Sequence, residues 1–163
     1  MVRFMSTKAQ KLTYDFFFAT SVLLIALTAT FFYVYHKIQD IEEEKIKGEM
    51  VGILISVSDV WFKEGYPEYW DSSNVVEIGL SNNNQINSTK VKLMEELGYQ
   101  KVASLLGLGL FNFQYSVYSQ NGTLIYSFPN LTFEMGKNVL VLDRTAIWNE
   151  SIVKVRTIIW QEA

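Results

Sequence analysis

The sequence predicts an α+β protein. One long N-terminal helix, first transmembrane and then amphipathic, packs on an antiparallel β-sheet of about four strands. Three observations predict this. An uncharged run without Pro or Gly, Phe16 to Tyr35, is followed by apolar residues at steps of three, four and seven. From Leu110 the apolar period changes to two. Two Asn-centred turns, Asn121-Gly122 and Asn149-Glu150, divide the last third of the chain into paired strands.

The uncharged run is about 20 residues long, and at ~1.5 Å per residue such a helix spans roughly 30 Å, the hydrocarbon thickness of a bilayer. Its Ser and Thr hydroxyls can bond back to helix carbonyls and so tolerate lipid. Beyond His36 and Lys37 the helical pattern continues. Ile38, Ile41, Ile46, Met50, Ile53, Leu54, Val57, Val60 and Trp61 fall on one stripe. The charges Asp40, Glu42, Glu43, Glu44, Lys45 and Lys47 lie mostly off it. The helix is expected to end near Lys63-Glu64, where Gly65 supplies a left-handed cap and Pro67 cannot continue. The expected division is a cytoplasmic leader (1–15), a transmembrane helix (16–36), an amphipathic extension (37–64) and an exterior α+β domain (65–163).

Orientation follows from the flanks. Arg3, Lys8 and Lys11 precede the run without a balancing acid, and acids dominate after it. This predicts a cytoplasmic N-terminus and an extracellular C-terminal domain on a single-pass cell-membrane protein. A cleaved secretory signal is the alternative, but its apolar core is shorter and ends in small residues. Here the run ends Phe31-Phe32-Tyr33-Val34-Tyr35, an aromatic belt.

After the helix, Glu64 to Asn74 reads as a loop and Ser81 to Asn87 as an exposed polar loop. Asn87 or Ser88 can cap a short helix, Thr89 to Leu97, with Val91, Met94 and Leu97 on one face. Gly98 ends it, and a second short helix runs from Tyr99 to Leu106. Phe111, Phe113, Tyr115 and Val117 then alternate with polar residues, and Leu124, Tyr126 and Phe128 line the return strand. Phe133 to Lys137 is read as a connection. Asn138 to Ala146 and Ile152 to Trp160 form the second hairpin, with Val153, Val155, Thr157 and Ile159 facing one way.

Composition excludes several function classes. The chain has 163 residues and a net charge of −3, too small and mixed for a nucleic-acid partner. It has no Cys and one His, so thiolate chemistry and zinc spacings are absent. No His, Cys or carboxylate constellation suggests catalysis, and the chain is read as no enzyme, with no cofactor and no metal site. Asp59 and Asp143 are not brought together by the sequence. Glu42-Glu43-Glu44 is read first as a solvated helix face and second as a weak cation site.

The leader carries a further feature. Lys8-Ala9-Gln10-Lys11-Leu12-Thr13-Tyr14-Asp15-Phe16 places a basic leader, a small residue, Gln and an acid before a long apolar helix. This resembles the class III signal peptide of archaeal type IV pilin-like proteins. The resemblance implies cleavage by a prepilin peptidase between Ala9 and Gln10, with the apolar helix retained. The family's acid stands fifth in the mature chain, and Asp15 is sixth if Gln10 is first. Cutting after Gln10 restores that spacing but puts Gln before the cut. The stretch Gly65-Tyr66-Pro67, Trp70, Val75 and Ile78-Gly79-Leu80, with the Asn-rich loop and the helix at Lys90, is similar to the region after the first helix in many archaeal pilin-like membrane proteins. The pilin-like fold, a long helix laid on an antiparallel sheet, agrees with this resemblance.

Four residue groups are singled out. Asp15 at the lip of the transmembrane helix either registers neighbouring subunits or pairs with Lys11 in the headgroup layer. Trp61, Tyr66, Tyr69 and Trp70 form an aromatic cluster, read as packing around a helix end or as a sugar-binding platform through Trp61, Tyr66 and Trp70. Asn87, Asn121, Asn130 and Asn149 begin Asn-x-Ser/Thr sequons, read as glycosylation sites or as Asn and Thr favouring turns. The fourth group is the processing pair Ala9 and Gln10.

The expected function is that of a pilin-like structural subunit of an archaeal type IV pilus or related surface filament. Its expected partners are membrane lipid, copies of itself or other pilin subunits, and a prepilin peptidase. The alternative is a permanently anchored extracellular interaction or ligand-binding module of another cell-surface complex. A cytoplasmic segment of only ~13 residues, by the charge-flank reading, argues against inward signalling.

Overall fold

The computed structural model describes residues 5–130 and 137–161; at positions 5–13 and 137 only the backbone is described. The chain divides into two compact units, Met1–Ile46 and Lys47–Ala163.

The first unit is helical throughout its described residues. It belongs to α1, Met5–Asp59, a 55-residue helix. The portion from Tyr14 onward contains a stretch of mean hydropathy 2.0, none of it buried, long and apolar enough to cross a membrane. Thr20, Ser21, Thr28 and Thr30 each donate a 2.8 Å hydrogen bond to the carbonyl four residues back, so these four hydroxyls are satisfied within the helix.

The second unit begins with the last turns of α1. Met50, Leu54 and Val57 are buried, whereas Ile38 and Ile41 of the predicted stripe remain exposed. The cover over the amphipathic stripe therefore starts only near Met50. The helix also ends earlier than predicted, at Asp59 rather than near Lys63-Glu64. Val60 and Trp61 turn inward and are buried. The orphan carbonyls of Val60 and Lys63 are taken by the N–H groups of Leu80 and Ser81, at 2.8 and 2.9 Å. A strand-like segment thus closes the helix, and no glycine cap is needed. Gly65 is left-handed, at φ +80°, but it serves a bridge between Tyr66 and Glu77.

β1 (Ser81–Asn82) and β2 (Gln85–Ile86) lie in the stretch predicted as an exposed loop. Asn83 and Asn84 take φ of 49° and 61°, so an Asn-Asn two-residue turn makes a miniature hairpin. α2 (Ser88–Leu97) is capped by Asn87, whose side-chain oxygen accepts from the N–H groups of Thr89 and Lys90. α3 (Tyr99–Leu105) follows Gly98. β3 (Phe111–Tyr118), β4 (Leu124–Phe128), β5 (Lys137–Trp148) and β6 (Ser151–Gln161) complete the fold.

The sheet is curled and mixed, with six strands in the order β1-β2-β5-β6-β3-β4. This corrects the expectation of about four antiparallel strands. The four long strands are antiparallel, and the Asn-rich hairpin adds two more, β2 joining β5 in parallel through Ile86 and Trp148. The β5–β6 turn has two residues, Asn149 and Glu150, both at positive φ, as a right-twisted hairpin of that length requires. The β3–β4 turn is longer than the two residues that Asn121-Gly122 suggested. Ser119 N–H meets Thr123 O, Gly122 N–H meets Ser119 O, and Gly122 takes φ +81°. That is a three-residue loop closed by a left-handed glycine.

One face of the sheet carries the core. Phe113, Tyr115, Val117, Val153, Val155, Thr157 and Ile159 are buried there as the alternation predicts. The Tyr115 hydroxyl donates to the Val57 carbonyl at 2.7 Å, and its ring meets Trp61 edge to face at 5.1 Å. These contacts lay the end of α1 on the sheet. Ile158 and Trp160 on the other face are buried as well, which alternation did not predict.

Candidate functional site

The surfaces available for function are the apolar half of α1 and the loops and edges around the sheet. Along α1, Phe16, Phe17, Phe18, Leu23, Leu24, Ile25, Phe31 and Phe32 are all exposed, each by more than half. Exposing this much apolar surface at about 25 cal/mol per Å² costs on the order of tens of kcal/mol in water, and the stretch is long and apolar enough to cross a membrane. Asp15 is exposed one residue before this stretch. Ala9 and Gln10 lie in the backbone of α1, and their side chains, like that of Lys11, fall outside the described residues. Tyr35 and His36 meet edge to face at its far end, at 6.1 Å.

The aromatic cluster is split. Trp61 and Trp70 are 1% and 2% exposed, while Tyr66 and Tyr69 are exposed. Trp61 sits between Tyr115 and Tyr126 in the core. Trp70 donates its indole N–H to the Gly79 carbonyl at 3.0 Å. Neither indole therefore presents an open face on which a sugar ring could stack. The Trp70 anchor closes a joint in which Gly65 and Gly79 pass backbone against backbone. A Cβ on Gly79 would meet Gly65 N and lie 2.5 Å from Lys63 O. Only glycine fits such an approach.

Lys90 completes this joint, and the sequence reading missed it. It is 6% exposed, and its ammonium donates to the carbonyls of Glu64 at 2.6 Å and Ser81 at 3.0 Å. Burial pushes its pKa down, and the nearby carboxylates of Glu64 and Glu68 oppose that. A lysine on an otherwise amphipathic helix carries no mark in sequence that distinguishes this role.

Three of the sequons, Asn87, Asn121 and Asn149, gather at one end of the sheet, and Asn130 follows β4 toward the other. Asn121 lies in the exposed β3–β4 turn and Asn149 in the β5–β6 turn, where its side-chain oxygen accepts from Ser88. Asn87 caps α2 immediately before Ser88. Ser88 also accepts the Trp148 indole N–H at 2.7 Å, which ties the β5–β6 turn to the helix start. Asn130 is exposed after β4, and Thr132 of its sequon lies outside the described residues. Between the two hairpin tips an open groove of about 520 Å³ is lined by Ser119, Asn121, Ile125, Glu150 and Ile152.

Four charges of the sheet, Asp143, Arg144, Lys154 and Arg156, are matched within the chain. Asp143 accepts both ends of the Arg156 guanidinium at 2.7 and 2.8 Å and lies 3.5 Å from Lys154. The Arg156 hydrogen bond holds the Asp143 carboxyl below its usual range. Its neighbour Arg144 points to the other face, bonds Asp59 at 2.6 Å and covers the Phe62 ring. Asp59 and Asp143 are thus kept apart, each committed to an arginine. Among the described residues no group of His, Cys, Asp or Glu could hold a metal ion. Burial raises the Tyr115 and Tyr126 hydroxyls above the ordinary tyrosine value, with further help from Tyr126 and Glu95 respectively, which suits packing residues.

Compared with known proteins, the chain matches no family model, no curated protein and no solved structure.

Proposed function

We propose that the chain is a single-pass membrane protein whose N-terminal helix anchors an exterior α+β domain, and that it serves as a structural, pilin-like subunit of a surface filament. The observation that carries this reading is the split use of α1. One stretch is wholly exposed and apolar, and the later turns, from Met50, are buried under a sheet. Such a helix can be stored in lipid and then exchange lipid for neighbouring helices without refolding the domain. The leader resemblance at Lys8 to Asp15 supplies the archaeal type IV pilin class, a prepilin peptidase acting at Ala9–Gln10, and a registering role for Asp15. The N-terminus is cytoplasmic and the sheet exterior by the charge flanks. Glycans on sequon asparagines agree with an exterior domain. The proposed role is structural, and the commitment of Asp143 to Arg156 and of Asp59 to Arg144 supports it.

Intact mass and N-terminal sequencing of the protein from its native membranes test this. A chain beginning at Gln10 or Lys11 with the anchor retained supports the filament subunit. A chain beginning at Met1 overturns it in favour of a permanently anchored interaction module. Hexose-sized mass increments on the sequons would place the domain outside.

A further inference from the structure

The two outer long strands of the sheet each leave an edge open, and the two edges are complementary. Among the described residues, β5 pairs with β6 on one side and on the other touches only β2, at Trp148. From Lys137 to Ile147 that side has no strand. The two-residue turn at Asn149-Glu150 makes Trp148 and Ser151 a hydrogen-bonded pair, so alternation assigns the open edge to the N–H and C=O groups of Val141, Asp143 and Thr145. The side chains of Val139, Val141 and Ile147 are exposed on the outer face beside that edge. On the far side of the sheet, β4 pairs only with β3, and Leu124 and Ile125 are each 53% exposed.

Edges of this kind are normally guarded by Lys, Pro or an unpaired inward charge. Among the described residues, neither β4 nor residues 138–147 of β5 has such a guard; the one lysine of β5, Lys137, stands at its first position. Residues 124–128 carry no charge, and the two charges within residues 138–147 of β5 are neutralised within the chain, Asp143 by Arg156 and Arg144 by Asp59. Strand direction then selects the occupant. Across β5-β6-β3-β4 each neighbour is antiparallel, so β4 runs opposite to β5. A second copy placed beside the first, in the same orientation, brings its β5 antiparallel to the open side of β4. A β5–β5 pair about a two-fold axis would close at a dimer and leave both β4 edges open, whereas pairing β4 with β5 covers both kinds of edge.

We propose that the exterior domains associate head to tail, the β4 edge of one copy pairing with the β5 edge of the next, so that the sheet continues from subunit to subunit. The rows of the sheet give the register. Tyr118 is paired with both Leu124 and Lys154, and Lys154 with Thr145, so Leu124 and Thr145 are level. β2 occupies the Trp148 end, and the loop 119–123 of the incoming hairpin extends past Leu124. The incoming strand is therefore displaced toward Lys137. A two-residue displacement keeps the faces matched and sets Tyr126 and Phe128 beside Leu142 and Leu140 of the next copy. Such a contact is heterologous and open-ended, the geometry of a filament and not of a closed dimer. It rests on the proposed self-assembling role and adds a contact separate from the membrane helices.

The absence of cysteine makes the test clean. The full-length chain carrying Leu124→Cys and Val141→Cys, two exposed positions, is treated in its membrane with a bismaleimide reaching about 8 Å, two residues along a strand plus one strand spacing. Differently tagged copies are co-purified in parallel without cross-linker. The expected result is a ladder of dimers, trimers and higher products, with either single variant giving none and a mixture of the two stopping at dimers. Adding Ile125→Lys, which guards the β4 edge, reduces the ladder at least tenfold while Trp fluorescence keeps its folded spectrum. Three results overturn the inference. A dimer from Val141→Cys alone shows a two-fold β5 contact. Copies that co-purify without a ladder leave self-assembly standing and remove the edge contact. Copies that neither co-purify nor cross-link remove both.

Discussion

Gly79→Ala probes the joint that turns the chain from helix to sheet. The added Cβ would lie against Gly65 N, 2.5 Å from Lys63 O and 2.5 Å from Glu64 C, all backbone atoms. Ordinary contact with carbon needs about 3.5 Å, so the two segments must part by roughly 1 Å. Four hydrogen bonds cross that gap. They are Leu80 N–H to Val60 O at 2.8 Å, Ser81 N–H to Lys63 O at 2.9 Å, Tyr66 N–H to Glu77 O at 2.8 Å and the Trp70 indole to Gly79 O at 3.0 Å. Opening by 1 Å breaks those nearest Gly79. Two bonds at about 1 kcal/mol each, with about 1–3 kcal/mol of overpacking strain, give a loss of about 3–5 kcal/mol. Gly48→Ala is the control. Gly48 has nothing within 4 Å of its would-be Cβ and sits inside α1, so alanine should stabilise by about 0.8–1 kcal/mol. Urea unfolding of the full chain in nonionic detergent, followed by Trp fluorescence, reads both. A Gly79→Ala loss below about 1 kcal/mol would refute the close-approach argument.

Lys90→Met leaves the Glu64 and Ser81 carbonyls without their ammonium donor. At about 1–3 kcal/mol per unpaired group, less the relief of burying a charge, the expected loss is about 2 kcal/mol in the same assay. An unchanged midpoint would show that desolvation cancels both bonds. Asp143 has a lowered folded pKa, so its contribution is present above the ordinary value of about 3.9 and is lost as pH falls through the lower folded value. Its side chain is 37% exposed, which holds the effect below about 1 kcal/mol. Unfolding free energies from pH 7 to pH 2 should show Asp143→Asn less stable at neutral pH, with the two curves converging in acid; parallel curves would exclude the linkage. Glu150→Gly relieves a non-glycine residue at φ 62° and should stabilise the β5–β6 hairpin by about 0.5–1 kcal/mol, measured by the same unfolding midpoint. A destabilised variant would mean that the Glu150 side chain has a role the turn does not show.

Local chemistry made much of this protein readable in advance. The Phe16–Tyr35 run needs only its length and lack of charge to declare a membrane-length helix. Asn87 capping α2, Gly98 ending it, and the alternation of Phe113, Tyr115 and Val117 depend on residues within a few positions of one another. Three features depended on partners far along the chain. Asn83-Asn84 reads equally as a loop or as a hairpin turn, and only Ile86 meeting Trp148 makes it part of the sheet. Gly65 looks like a helix cap, but Leu80 and Ser81 reach back to end the helix sooner, and the glycine is left to pass Gly79. Trp61 and Trp70 could equally have been a binding platform or packing, and burial among Tyr115, Tyr126 and Gly79 decided their environment. Sequence by itself determined the membrane-length run, the start and end of α2 and the alternation of the long strands, because propensity and period act over a few residues. The tertiary structure alone decided where α1 is covered, which strand edges stay open and where the Lys90 charge is held, because those outcomes are set by contacts between residues tens of positions apart.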